Sequence, residues 1–188
     1  MFAVIASSGM LVADPAAADE IAVREARLIA EEDGFALHAD FDVTLTPRLE
    51  NALHMGVALY FTTEFECSRP RWYWLDERVA SVSRSTRLSF HALTRTYRLS
   101  TGTLHRSFPT LDEALHVLGR VRHWIVLEKD QLRAEASYVV AARMRLDISQ
   151  LPKPFQVSAL ANRDWTLASE WTRWEFTMPA RKAGADAK

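Results

Sequence analysis

Residues 35–43 alternate in a way that an extended chain with one dry and one wet face satisfies and a helix does not. Phe35, Leu37, Ala39, Phe41 and Val43 are apolar, while His38, Asp40, Asp42 and Thr44 fall between them. Asp33-Gly34 just upstream is hairpin-turn chemistry, so residues 22–31 are expected to be the antiparallel partner. The same period of two recurs at Val57, Leu59, Phe61, Thr63, Phe65 and Cys67, with Tyr60, Thr62, Glu64 and Glu66 opposite. It returns at Leu93, Tyr97 and Leu99, and again from Leu132 through Ala134, Ala136, Tyr138, Val140, Ala142, Met144 and Leu146. Trp171 to Met178 closes the set. A chain built this way is mainly β, and an antiparallel β-sandwich of about eight or nine strands, immunoglobulin-like in general architecture, fits best.

Two short helices are expected between the strands. Thr46-Pro47 sets a capping hydroxyl before a proline at the first helical position, and Gly56 offers a stop. Thr110 with Glu113 forms a capping-box pattern, followed by the apolar face Leu111, Ala114, Leu115 and Leu118. Helices this short cover sheet edges or ends rather than form a layer. No repeat or linker divides the chain, so residues 19–178 read as a single β-sandwich domain. Residues 179–188 have nothing to bury and read as a disordered tail. Residues 1–18 read as a signal-peptide remnant: an uncharged apolar run ends in Ala16, Ala17 and Ala18, with cleavage expected before Asp19, although no basic residue precedes Arg24. The apolar run is too short to span a bilayer, and the mature chain is expected to carry no transmembrane span.

Composition removes several functions. With 23 Lys and Arg against 24 Asp and Glu, the net charge of -1 argues against a nucleic-acid partner and against a polybasic membrane binder. One cysteine excludes an internal disulfide framework and a multi-cysteine zinc site. The Gly-rich phosphate loops, nucleophile elbows and metalloprotease helices that announce common enzymes are absent, so no catalytic residue and no cofactor is assigned.

What remains are weaker candidates. His38, Asp40 and Asp42 share a strand face at spacings of two, and imidazole and carboxylate are suitable metal ligands. A solvated outer face explains them equally well, no fourth ligand is evident, and no metal is assigned. Cys67 keeps the buried parity of its strand and reads as a small core residue. Residues 78–106 carry Arg78, Arg84, Arg87, Arg95, Arg98 and Arg106 without a single Asp or Glu, a pattern suited to an anion or to the wet face of a sheet. Trp72 and Trp74 share a face if extended, and core packing is the plain role for most of the six tryptophans. Two prolines keep residues 151–155 out of an interior strand and favour an extended polyproline connection. That connection, with Pro152, Lys153, Pro154 and Phe155 followed by Arg163, Asp164 and Trp165, is the segment read as partner-binding.

The chain resembles a family of exported proteobacterial proteins catalogued as domain of unknown function 4390. The resemblance is carried by residues 88–94 with Tyr97, by residues 108–118, by Leu146-Asp147, and above all by residues 151–157 continuing through Arg163-Asp164-Trp165 to Trp171. It implies an envelope location and an accessory role beside a membrane sensor kinase. The expectation is thus a non-enzymatic periplasmic interaction module whose partner is an envelope protein, such as a sensor kinase's extracytoplasmic domain. The alternative is a carrier of a small apolar or lipid ligand held between the sheets.

Overall fold

The computed structural model describes residues 21–71, 73 and 76–178, leaving aside the side chains of Leu160, Ala161 and Arg163. The readings placed on residues 1–18, residues 179–188, Trp72 and Trp74 lie outside the described residues. Nine strands are described: β1 (Ile21–Ala30), β2 (Phe35–Val43), β3 (Leu59–Arg69), β4 (Glu77–His91), β5 (Thr96–Thr101), β6 (Leu104–Phe108), β7 (Arg120–Leu127), β8 (Ser137–Leu146) and β9 (Thr172–Thr177). They form two antiparallel sheets, a narrow one in the order β1-β2-β7 and a wide one in the order β6-β5-β4-β3-β8-β9. The sheets pack face to face, β1 meeting β8 and β9 while β7 meets β4. Phe35 of β2 and Phe176 of β9 touch edge to face across the interface, 5.1 Å between ring centres.

The period-two pattern dictates which side is dry. On β2 the residues Phe35, Leu37, Ala39, Phe41 and Val43 are buried, and on β3 so are Leu59, Phe61, Thr63, Phe65 and Cys67. Cross-strand register carries the buried parity onto β8, where Phe61 faces Leu146, Thr63 faces Met144 and Cys67 faces Val140. Between the sheets Phe61, Phe65, Tyr138 and Met144 are all at 1% exposure or less. Cys67 has no exposure at all, and loss of water around its thiol pushes its pKa up to about 11. It is a residue of the core.

Four expectations need correction. The strand expected from Leu132 starts only at Ser137: Leu132 is buried but follows a 3-10 turn over Lys129–Gln131, and Glu135 takes a left-handed φ of 60°. Leu93 is 92% exposed in the turn between β4 and β5, since alternation over so few residues cannot distinguish a strand from its turn. Val57 precedes β3 instead of opening it. Most consequential, the proline segment is not extended. Pro152 is the N-cap of a third helix, α3 (Lys153–Ala161), with Pro154 in its first turn. There a missing amide costs nothing and the fixed φ suits the helix, and the Pro152 carbonyl accepts from Phe155 and Gln156 at 2.9 and 3.2 Å.

The other two helices stand where their caps announce them. In α1 (Pro47–His54) the Thr46 hydroxyl accepts from the Leu49 amide, and in α2 (Leu111–Leu118) Thr110 accepts from Glu113, each at 3.3 Å. Both are crossovers between sheets: α1 leads from β2 to β3, and α2 from β6 to β7. At the end of α2 the chain passes so close to β2 that a Cβ on Gly119 would lie 2.0 Å from the Phe41 carbonyl oxygen. The Phe41 amide donates to the Gly119 carbonyl at 2.9 Å in the same place. Gly119→Ala is therefore expected to cost about 2–4 kcal/mol in urea unfolding, because backbone rather than a flexible side chain must give way. Gly102→Ala, in open space at φ 56°, should cost only about 1 kcal/mol. Equal losses would contradict this packing.

Candidate functional site

The narrow sheet ends at β7, which lies over β4, whereas the wide sheet continues through β5 and β6. The inward faces of those last strands are thus left at the margin of the sandwich. Register places Leu88 beside Leu99 and Leu99 beside Arg106, and pairs Thr101 with Leu104. The result is a cleft of about 300 Å³. Its floor carries Arg84, Thr86, Thr101, Leu104 and Arg106, and its wall is made by Val117 and Leu118 of α2 with Arg120 and Arg122 of β7. No carboxylate lines it among the described residues.

Arg84 is the unusual member. It is paired in register with the buried Thr63, so its side chain starts from the inward face of β4, and its guanidinium lies 4.9 Å from the Trp124 ring centre. Removal from water pushes its pKa below the ordinary arginine value, and among the described residues it has no carboxylate partner. The aromatic face compensates only part of that desolvation. Arg106 likewise rests on a ring, that of Phe108, at 5.4 Å. Arg122 differs: it donates to both carboxylate oxygens of Asp40 at 2.7 and 2.8 Å and to the carbonyls of Ala39 and Val121. The cleft thus holds two aromatic-backed cations on its floor and, in Arg122, a neutralised one on its wall.

The six arginines of residues 78–106 do not act as one stripe. Arg84 and Arg106 enter the cleft, Arg87 and Arg98 border a separate depression with His91, Arg78 lies with Arg69 and Glu77, and Arg95 is exposed in a turn. On the outer face of the wide sheet Glu64 accepts from Arg143 at 2.6 Å and Arg145 at 2.9 Å. Desolvation raises the Glu64 pKa, but the two guanidiniums outweigh it and hold the carboxyl below its ordinary value.

The residues read as partner-binding do not form one exposed surface. Pro152, Lys153 and Pro154 are exposed on the first turn of α3, and Phe155 is half-buried, its ring 5.2 Å from that of Trp165. Trp165 itself belongs to the core at 6% exposure. Asp164 accepts from Arg48 Nε at 2.7 Å, and its carbonyl accepts from the Thr46 hydroxyl at 2.7 Å, which ties the segment to α1. The Arg163 side chain lies outside the described ones. His38, Asp40 and Asp42 also part company: Asp40 holds Arg122, Asp42 holds Arg24, and His38 turns toward Glu31.

An arginine retained for structure would weaken the protein when replaced, whereas one retained for a ligand would not. Arg84→Met keeps the length and the contact with Trp124 while removing the desolvated charge. Its expected effect is a gain of about 0.5–1 kcal/mol in thermal unfolding. A loss of that size would make Arg84 a structural residue.

No curated protein and no solved structure matches the chain. No helix among the described residues is long and apolar enough to cross a membrane. The sequence from residue 18 to residue 175 does match the family model described as domain of unknown function (DUF4390), a stretch that contains the arginine cleft and all three helices. The chain belongs to the DUF4390 family.

Proposed function

We propose that the protein is a non-enzymatic binding module of the cell envelope that receives an acidic segment of a partner protein in the arginine-lined cleft. The observation that carries this reading is Arg84, a partly desolvated cation with no carboxylate partner among the described residues. A carboxylate entering the cleft would meet Arg84, Arg106 and Arg120 together, and would restore the interactions that Arg84 lost with water. Leu104, 77% exposed beside them, offers an apolar contact next to the charges, which suits a peptide better than a bare inorganic anion. The envelope location rests on the leader-like residues 1–18, and a sensor kinase's extracytoplasmic domain is the partner class to which the family resemblance points. The carrier reading has less support, because Phe61, Phe65, Tyr138 and Met144 occupy the space between the sheets.

The test uses a fluorescein-labelled, glutamate-rich decapeptide and fluorescence anisotropy at low ionic strength. A charge-assisted contact contributes ~1.5–3 kcal/mol, so Arg84→Gln should weaken binding roughly ten- to hundredfold. Arg87→Gln, whose residue lies in register with Tyr60 away from the cleft, should leave the affinity unchanged. Equal affinities for the two variants would remove the cleft as the binding surface.

A further inference from the structure

A second site stands on the outer face of the narrow sheet, remote in chemistry from the cleft. Glu31 directly follows β1, with its amide bonded to the Gly34 carbonyl at 2.8 Å in the hairpin. His38 projects from the middle of β2. Opposite it β7 is bulged: Leu37 pairs with Trp124 and Ala39 with Val121, so the single residue His38 faces both Arg122 and His123. His123 there adopts a left-handed φ of 49°, a conformation that non-glycine residues rarely take.

The bulge turns three donor atoms toward one point. His123 Nδ1 lies 2.8 Å from Glu31 Oε1, His38 Nε2 lies 3.6 Å from the same oxygen, and all three atoms are within 4.8 Å of one another. A hydrogen-bonded cluster explains only part of this. At 3.6 Å the His38–Glu31 contact is too long to be a hydrogen bond, and His38 Nε2 is buried with no partner among the described residues. The only ion-pair partners of Glu31 among the described residues are these two histidines, which carry no charge when neutral, while Lys129 nearby is engaged on the Glu32 carbonyl. A buried orphan nitrogen, a carboxylate without a fixed cation and a strained histidine at one point all change meaning if a cation sits between them.

We propose that Glu31, His38 and His123 bind one divalent transition-metal ion of the zinc class. Two imidazoles and one carboxylate are a borderline donor set that suits such ions and not calcium or magnesium. Donors around a tetrahedral zinc stand about 3.3 Å apart, within the span seen here, so shifts of an ångström or so complete the triad. Glu31 and His38 are sheltered while His123 is 76% exposed, so the fourth position faces water. Metal binding would relieve the orphan nitrogen, neutralise the carboxylate and give the bulge a reason to hold its left-handed residue.

Untagged full chain, stripped with chelator, is titrated with zinc by calorimetry and with cobalt(II) by visible absorption. The expected result is one ion per chain at micromolar affinity or tighter, tetrahedral cobalt bands, and a zinc-dependent rise in Tm. His123→Asn keeps a residue that tolerates the left-handed backbone, and should weaken zinc at least a hundredfold and abolish the Tm rise. Glu31→Gln should do the same if His123→Asn fails to fold. His105→Asn, at an exposed histidine outside the triad, should bind as the parent does. Absence of saturable binding by the parent chain, or equal affinity in the parent and either triad variant, overturns the proposal.

Discussion

A sheet of three strands laid on a sheet of six can bury only part of the wider one, and the consequences of that mismatch run through the molecule. Over β9, β8, β3 and β4 the two faces meet, and the alternating apolar residues fill the gap to close packing. Beyond the β7 edge the wide sheet has no partner layer, so β5 and β6 depend on α2 for partial cover. Residues with inward parity at that margin need not be apolar. Arg84 and Arg106 occupy such positions, carried by the same register that buries Thr63 and Leu99.

The crossovers make the mismatch stable. Because α1 and α2 each carry the chain from one sheet to the other, the sheets cannot slide apart without breaking a cap, the Gly119–Phe41 contact or the Asp164 hydrogen bonds to α1. The charge pattern follows the same division of labour. Where charges are structural they are paired across strands, as with Glu64 between Arg143 and Arg145 or Asp40 with Arg122. In the cleft Arg84 and Arg106 lie over aromatic rings instead, and a near-zero total charge conceals this local imbalance.

Much of this is legible in the sequence wherever the signal is local. Asp33-Gly34, the parity of Phe35 to Val43 and the caps at Thr46 and Thr110 are local signals, and each led to the element it announced. Where the structure departs from these signals, either the local pattern is too short or broken, or the deciding partner is distant in sequence. Residues 120–127 carry no clear period of two because the bulge at Arg122–His123 breaks the alternation that marks a strand. The two prolines of residues 151–155 fit an extended chain or the first turn of a helix, and only the docking of Phe155 on Trp165 decides between them. His38 was readable as a polar outward residue, but its company is set by the β1–β2 hairpin and the β7 bulge rather than by Asp40 and Asp42. The Arg-rich run was visible as composition, and only the register separates Arg84 and Arg106 from Arg87 and Arg98.

The uncovered end of the wide sheet is the proposed receptor for negative charge. Amide chemical shifts recorded while a glutamate-rich peptide is titrated into isotope-labelled protein report this most directly. Saturable shifts concentrated at residues 84–86, 99–106 and 120–122 are the predicted result. Shifts that gather instead on residues 151–165, or that spread over the surface without saturating, would contradict it.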